Sequence, residues 1–377
     1  MGRAVTLMLF FGLVGCGDTS APVDVPAQDG GDLDVSRVDA APAGDAASDY
    51  GTAAVDGGVE PDSRIEGDML PPERAVEGLW APRAAIESGA IQEIAVVALH
   101  GEVYVLGGFD GFGRIVATMS IYNPATDQWR RGPELPTPMH HANAAAVNGQ
   151  IYILGALKQD FEEDGRGYIY DPETARWRDG PALPAGTARG ASGVAVLGEE
   201  IVLIGGLGGR RAVSLVSAYH VGEERWRRLP DLPAPARDHM AVGTVDGQII
   251  VAGGRDGRIH RHVPAVHIFD PDQGSWRAGA PMPTSRGGAA AAVCGETLYV
   301  MGGEGNAGVG TGVFDQVEAY RLGADRWDVL PPMSTPRHGN GAVAIRDWIY
   351  VPGGADVQAF GAVPVHERMG CDPGPAP

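Results

Sequence analysis

Six times between residues 103 and 351 the chain runs through an unbroken apolar stretch, at 103–106, 151–154, 201–204, 249–252, 298–301 and 349–351. Short apolar runs without alternation suit strands that are covered on both faces. Glycine pairs follow at Gly107, Gly205, Gly253, Gly302 and Gly353, with Gly155-Ala156 filling the one gap, at intervals of 48, 50, 48, 49 and 51 residues. Tight-turn signals precede five of the runs, at His100-Gly101, Asn148-Gly149, Leu197-Gly198, Asp246-Gly247 and Cys294-Gly295. Upstream of these lie stretches of small residues, such as 144–146, 193–195 and 289–292, which predict strands in crowded surroundings. Downstream, an aromatic stands seven residues before a tryptophan in Tyr122/Trp129, Tyr170/Trp177, Tyr219/Trp226, Phe269/Trp276 and Tyr320/Trp327. Each unit thus predicts four short strands: a small-residue strand, an apolar one, a third ending at the aromatic and a fourth carrying the tryptophan. Turns such as Asn123-Pro124 and Asp171-Pro172 join the last two. With 57 Gly and 29 Pro among 377 residues, long helices are excluded.

A period near 50 is that of a propeller, in which each unit is one small sheet that needs its neighbours to bury its faces. Double glycine, aromatic and tryptophan at this spacing resemble the kelch repeat, six times over about 300 residues. The resemblance implies an all-β, six-bladed kelch-type β-propeller over residues 74–371. Strand counting predicts how it closes. After Gly353-Gly354 there is room for a third strand around 363–367 but no later tryptophan, while Trp80 stands 49 residues ahead of Trp129 without a unit of its own. The N-terminal strand should therefore complete the last blade and leave no free edge. Ala156 and Pro352 are local departures from the repeat.

The chain begins differently. Arg3 precedes an apolar stretch at 4–14, too short to span a bilayer, and the sequence Leu13-Val14-Gly15-Cys16 resembles a bacterial lipobox. Residues 1–15 are therefore expected to be a signal peptide and Cys16 the lipidated first residue, with lipid holding the protein to a membrane. Gly17 after the cysteine, by resemblance to enterobacterial sorting, points to the outer membrane of a bacterial cell envelope. Residues 17–72 hold eleven Asp and two Glu against Arg37 and Arg64, with almost no aromatics. Such a stretch buries too little apolar surface to order itself, so residues 16–73 are expected to be a disordered tether. Its aspartates lack the Gly and Glu spacing of an EF-hand. Residues 372–377 form a C-terminal tail.

The formal charge of −19, with Lys158 the only lysine, excludes a nucleic-acid binder. Candidate chemistry lies in the loops, since the blades are scaffold. Sixteen residues before each glycine pair stand Ile91, Met139, Arg189, Arg237, Arg286 and Arg337. Four arginines at one level of the expected channel mouth, with His140, Asp238, His338 and Arg255 beside them, predict a site for a protein or glycan ligand that is anionic. The same arginines also suit hydrogen bonding to loop carbonyls between blades, and both readings stand. His140, His141, His239 and His338 converge in this reading, but no metal, cofactor or catalytic residue is expected. A galactose-oxidase-like copper site would need a cross-linked Tyr-Cys pair in a larger propeller. Cys294 and Cys371 are expected to stay free, a disulfide in an oxidising envelope being the alternative. The expected function is a membrane-anchored, monomeric binding module. The alternative is a sugar isomerase, because the plan resembles periplasmic kelch proteins that interconvert sialic acid anomers; Glu93, Asp238 or Glu304 would then face Arg189 or Arg237.

Overall fold

The computed structural model describes residues 79–371. The expected signal peptide, Cys16, the expected tether and the expected tail lie outside them. Among the described residues six four-stranded antiparallel sheets follow one another. Blade 1 consists of Ala95–Leu99, Glu102–Leu106, Met119–Asn123 and Gln128–Arg131, in that order from the axis outward. Blades 2 to 5 repeat the order, starting at Ala144–Val147, Gly193–Leu197, Ala241–Val245 and Ala290–Cys294. Blade 6 is assembled from both ends of the described chain: Val343–Ile345, Trp348–Pro352 and His366–Gly370, with Trp80–Pro82 as outer strand. Trp80 pairs with Met369 across that seam.

The third strand of blade 6 begins at His366, later than the expected 363–367. Val363 is taken up at the mouth instead, bridging Ile91 and bonding to Gly354 O, and Pro364 has no N–H to give a ladder. Blade 2 also differs. At the other five glycine pairs both residues take positive φ and end the second strand, whereas only Gly155 does so in blade 2. With Ala156 in extended backbone, the strand runs on from Gln150 to Leu157 and pairs again with Glu163 beyond a bulge.

The seven-residue spacing has a structural origin. Each aromatic lies directly across the ladder from its tryptophan, as Tyr122 from Trp129 and Phe269 from Trp276, with ring centroids 5.1 Å apart in both pairs. The indole N–H then donates to a carbonyl of the preceding linker: Trp129 to Ala84 O, Trp226 to Ala182 O and Trp327 to Ala280 O. Apolar clusters also bridge adjacent blades, so that Tyr104, Leu106 and Ile121 of blade 1 pack with Ile151, Ile153 and Tyr168 of blade 2. The core is in effect a ring of inter-blade layers.

Cys294 and Cys371 form a disulfide, contrary to expectation, with Cα atoms 6.1 Å apart. Cys294 ends the inner strand of blade 5, and Cys371 follows the third strand of blade 6. Adjacent blades bring together what 77 residues of sequence separate.

Candidate functional site

The segment leading into each inner strand contributes one residue in the left-handed region: Glu93, His141, Ala191, His239, Gly288 and Gly339. That conformation turns each N–H toward the neighbouring blade. Glu93 N–H donates to Gly339 O (2.6 Å), His141 to Glu93 O (3.1 Å), Ala191 to His141 O (3.0 Å), His239 to Ala191 O (3.2 Å), Gly288 to His239 O (3.1 Å) and Gly339 to Gly288 O (3.0 Å). Six backbone hydrogen bonds thus close a circle around the axis. A cavity of about 130 Å³ sits in it, lined by Glu93, His141, His239, Gly288 and Gly339 among others.

The residue before each left-handed position pairs with the residue after the glycine pair, as Asp238 does with Arg255 and Gly287 with Glu304. This short bridge brings side chains from two loops of a blade to one level. A second circuit, of side chains, results. Arg255 donates from Nε to Asp238 Oδ1 (3.0 Å), from Nη2 to His239 Nε2 (3.1 Å), and from Nη1 to Glu304. The other oxygen of Glu304 lies 3.6 Å from His338 Nδ1, which is 3.5 Å from Glu93 Oε1; Glu93 Oε2 meets His141 Nε2 at 3.0 Å. The rings of His141 and His239 are 4.8 Å apart and complete the loop.

Hydrogen-bond partners assign the protons. His140 Nε2–H donates to Lys158 O (2.9 Å), leaving its Nδ1 to accept from His141 Nδ1 (2.5 Å). His141 thus faces His140 through Nδ1 and Glu93 through Nε2. Burial, together with the charge of His141, pushes His140 down to about 3. His239 donates from Nδ1 to Asp238 and accepts at Nε2, and burial with the Arg255 charge lowers its pKa. Burial alone would raise Glu93 and Glu304. His141 and His338 outweigh it at Glu93, which is held well below the usual range, and His338 and Arg255 do so at Glu304. Burial would lower His338, but the two carboxylates raise it.

The four arginines are not at the mouth. Arg189, Arg237, Arg286 and Arg337 are 0–1% exposed and point into their blades. Each bonds the carbonyl sixteen residues on, at Gly205, Gly253, Gly302 and Gly353. Arg286 adds Glu318, Thr284 O and Val300 O, and Arg337 adds Glu367 and Val365 O. Met139 and Ile91 fill the same slot in blades 2 and 1, both buried. The predicted cationic ring is therefore internal framework, and the anionic-ligand expectation built on it is withdrawn. Of the other predicted residues, Asp238 and Arg255 meet and His338 joins them through Glu304, whereas His140 lies beneath Phe161 and against Phe109, with ring centroids 4.9 and 4.3 Å away.

Sequence reasoning did not single out the aromatic rim. Phe112, Phe161 and Phe360 are 85%, 40% and 58% exposed in the loops after the glycine pairs of blades 1, 2 and 6. Phe109 lies between the last two, 6.4 and 5.4 Å from their ring centroids. Large aromatics in otherwise polar, Gly-rich loops were the available signal.

The family described as the KLHDC2/KLHL20/DRC7 Kelch-repeats domain matches over residues 93–280 and 194–366. Kelch-like protein terF of Aspergillus terreus is similar over 302 residues at 35% identity, covering 77% of this chain and 55% of that protein. Kelch-like protein 35 of Mus musculus is 32% identical over 210 residues, covering 44% and 36%. The chain spans about half the length of the first relative and about a third of the second. Among solved structures, that of YjhT superposes with a TM-score of 0.62 over 73% of this chain and 93% of its own, at 15% identity, which is a likeness of fold.

Proposed function

The chain belongs to the kelch-repeat family, and on that premise we propose that its propeller is a non-catalytic binding module that offers its loop face to a protein partner. Kelch propellers are typically protein-interaction modules. The carrying observation is the aromatic rim, where Phe112 and Phe360 stand mostly in solvent beside a polar circuit whose charges are largely paired within the chain. Exposed aromatics over a rigid scaffold are the anchors that interfaces use, and they carry most of the binding energy. The module belongs in this reading to a bacterial envelope lipoprotein, lipidated at Cys16, held away from the outer membrane by the acidic tether. The Cys294–Cys371 disulfide suits such an oxidising compartment.

Site-specific photo-crosslinking tests the binding face. A crosslinker at Phe112 or Phe360 should capture a defined protein on cells that display the chain, and one at Pro124, in the turn of the opposite face, should not. Capture at Pro124 alone would overturn the proposal. Fatty-acid labelling lost in Cys16→Ser tests the anchor; equal labelling of both forms would refute it.

One observation favours the isomerase as a second reading: Arg255 lies between Asp238 and Glu304 at the mouth, an anion-holding group beside carboxylates. His239 with Arg255 at Asp238, and His338 with Arg255 at Glu304, depress both carboxyl pKa values, so these groups are ionised at neutral pH, with no proton to donate and little basicity. Turnover of sialic acid anomers, lost in Glu304→Gln, would move the assignment to this reading.

A further inference from the structure

Hydrogen bonding accounts for the polar contacts of the mouth circuit except the two made by His338. His338 is 1% exposed, and its Nε2–H donates to Val357 O at 3.0 Å, which fixes the ring and turns Nδ1 inward. Nδ1 has no hydrogen-bond partner among the described residues; it faces Glu93 Oε1 at 3.5 Å and Glu304 Oε2 at 3.6 Å. A charged N–H···O⁻ bond spans about 2.7–2.9 Å, so both separations are too long for one. They are close to what a shared ion would impose. Metal–N and metal–O bonds of about 2.0–2.2 Å at the tetrahedral angle place two ligand atoms about 3.4 Å apart.

We infer that Glu93 Oε1, Glu304 Oε2 and His338 Nδ1, from blades 1, 5 and 6, form a site for one divalent transition-metal ion of the Zn²⁺ or Mn²⁺ class. One donor atom from each of the three residues lies within 4.8 Å of the others. Two carboxylates and a neutral imidazole make an O₂N donor set, which suits these ions rather than soft Cu(I). Each ligand is also oriented from behind, as metal ligands are. Val357 O holds His338, Arg255 holds the far oxygen of Glu304, and His141 holds the far oxygen of Glu93. Ala359 N–H adds a bond to Glu304 Oε2 at 3.3 Å. Gly288 and Gly339 put no side chain beside the donors: a Cβ on Gly288 would lie 3.5 Å from Glu304 Cγ, and one on Gly339 2.5 Å from Glu93 Oε1. The site does not depend on the protein-binding reading.

The rival occupant is a proton on His338, and metal retention separates the two. The full chain is stripped with EDTA, incubated with Zn²⁺ or Mn²⁺, passed through gel filtration and assayed for metal by mass spectrometry. About one equivalent should remain on the wild type, as a three-ligand buried site predicts. His338→Ala and Glu304→Gln should each weaken binding by at least about tenfold, the scale of losses at metal shells. His100→Ala, exposed on the opposite face, should retain metal as the wild type does. Co²⁺ provides a measurement without variants: the wild type should give the intense visible bands of a low-coordinate ion. Overturning results are a wild type that elutes free of metal with only the spectrum of hydrated Co²⁺, or a folded His338→Ala chain that retains as much metal as the wild type.

Discussion

Replacing Arg286 by Met removes a side chain that is fully buried and uses its donors four times. Nε bonds Gly302 O at 2.7 Å, Nη1 bonds Thr284 O at 2.7 Å and Glu318 Oε2 at 2.5 Å, and Nη2 bonds Val300 O at 2.9 Å. Methionine fills much of the volume but satisfies none of these acceptors. Glu318, whose side chain is 2% exposed, is left as an uncompensated buried charge, a loss of about 3–5 kcal/mol. The carbonyls stripped of donors add to this at about 1–3 kcal/mol each, less than additively because the site relaxes. Arg189 provides the comparison. It bonds three carbonyls and Ser217 Oγ but no acid, and burial pushes it down to about 10. Arg189→Met should therefore cost less than Arg286→Met, and Glu318→Met added to Arg286→Met should recover part of the loss. Urea unfolding followed by tryptophan fluorescence reads all four chains. Against a total stability of about 5–15 kcal/mol the Arg286→Met shift is large. If Arg286→Met kept the wild-type midpoint and instead lost a ligand, the argument that these arginines are internal framework would fail.

Three further outcomes follow from the same geometry. The disulfide closes a loop of 77 residues, so Cys294→Ser should cost up to about 4–5 kcal/mol on chain entropy, read as a lower urea midpoint that reductant no longer changes. His366 is pushed down to about 3 by burial, and His267 to about 4 by burial and the Arg237 charge. The unfolded chain takes up these protons near pH 6.5 while the folded chain does not, so stability is complete above that pH and declines as pH falls toward 4. The slope should be about 1.4 kcal/mol per pH unit from His366 and should flatten in a folded His366→Phe variant. Gly339 and Gly295 have nearly the same positive φ, +58° and +57°, but a Cβ at Gly339 would lie 2.5 Å from Glu93 Oε1, whereas one at Gly295 would meet nothing within 4 Å. Alanine at either should cost about 1 kcal/mol of backbone preference; only Gly339→Ala should also displace Glu93, visible as lost metal retention.

The blades were legible because their requirements recur. Trp129 and its equivalents sit across a ladder from an aromatic, and a two-strand hairpin with a fixed turn converts that adjacency into a fixed spacing in sequence. Closure was legible because Trp80 lacked a unit and the last unit lacked a tryptophan. The arginines misled the reading of the mouth because position in a repeat says nothing about side-chain direction. A residue type that returns in consecutive blades at one level, as Arg189, Arg237, Arg286 and Arg337 do, answers a need that all those blades share, namely carbonyls released by the glycine pair. The mouth is built from the positions that change from blade to blade: Glu93, His141, Ala191, His239, Gly288, Gly339. Variation within the array was the better guide to function. The disulfide was hidden for another reason, since it depends on the spatial adjacency of blades 5 and 6 and on no local signal.

The circle of backbone hydrogen bonds orders events in time. Five of its links join a blade to the one just made before it, but the sixth, from Glu93 N–H to Gly339 O, joins the first lead-in segment to the last. Contacts between such distant residues are the slowest to form, because the intervening chain must first be gathered. Glu93 is also the side chain that both His141 and His338 approach, so the polar circuit is interrupted until that late link is made. A nascent or incomplete array can hold folded blades yet has no mouth. The site therefore exists only in the finished molecule, and duplication or loss of a single blade would remove it together with the circle, however well the remaining sheets were packed.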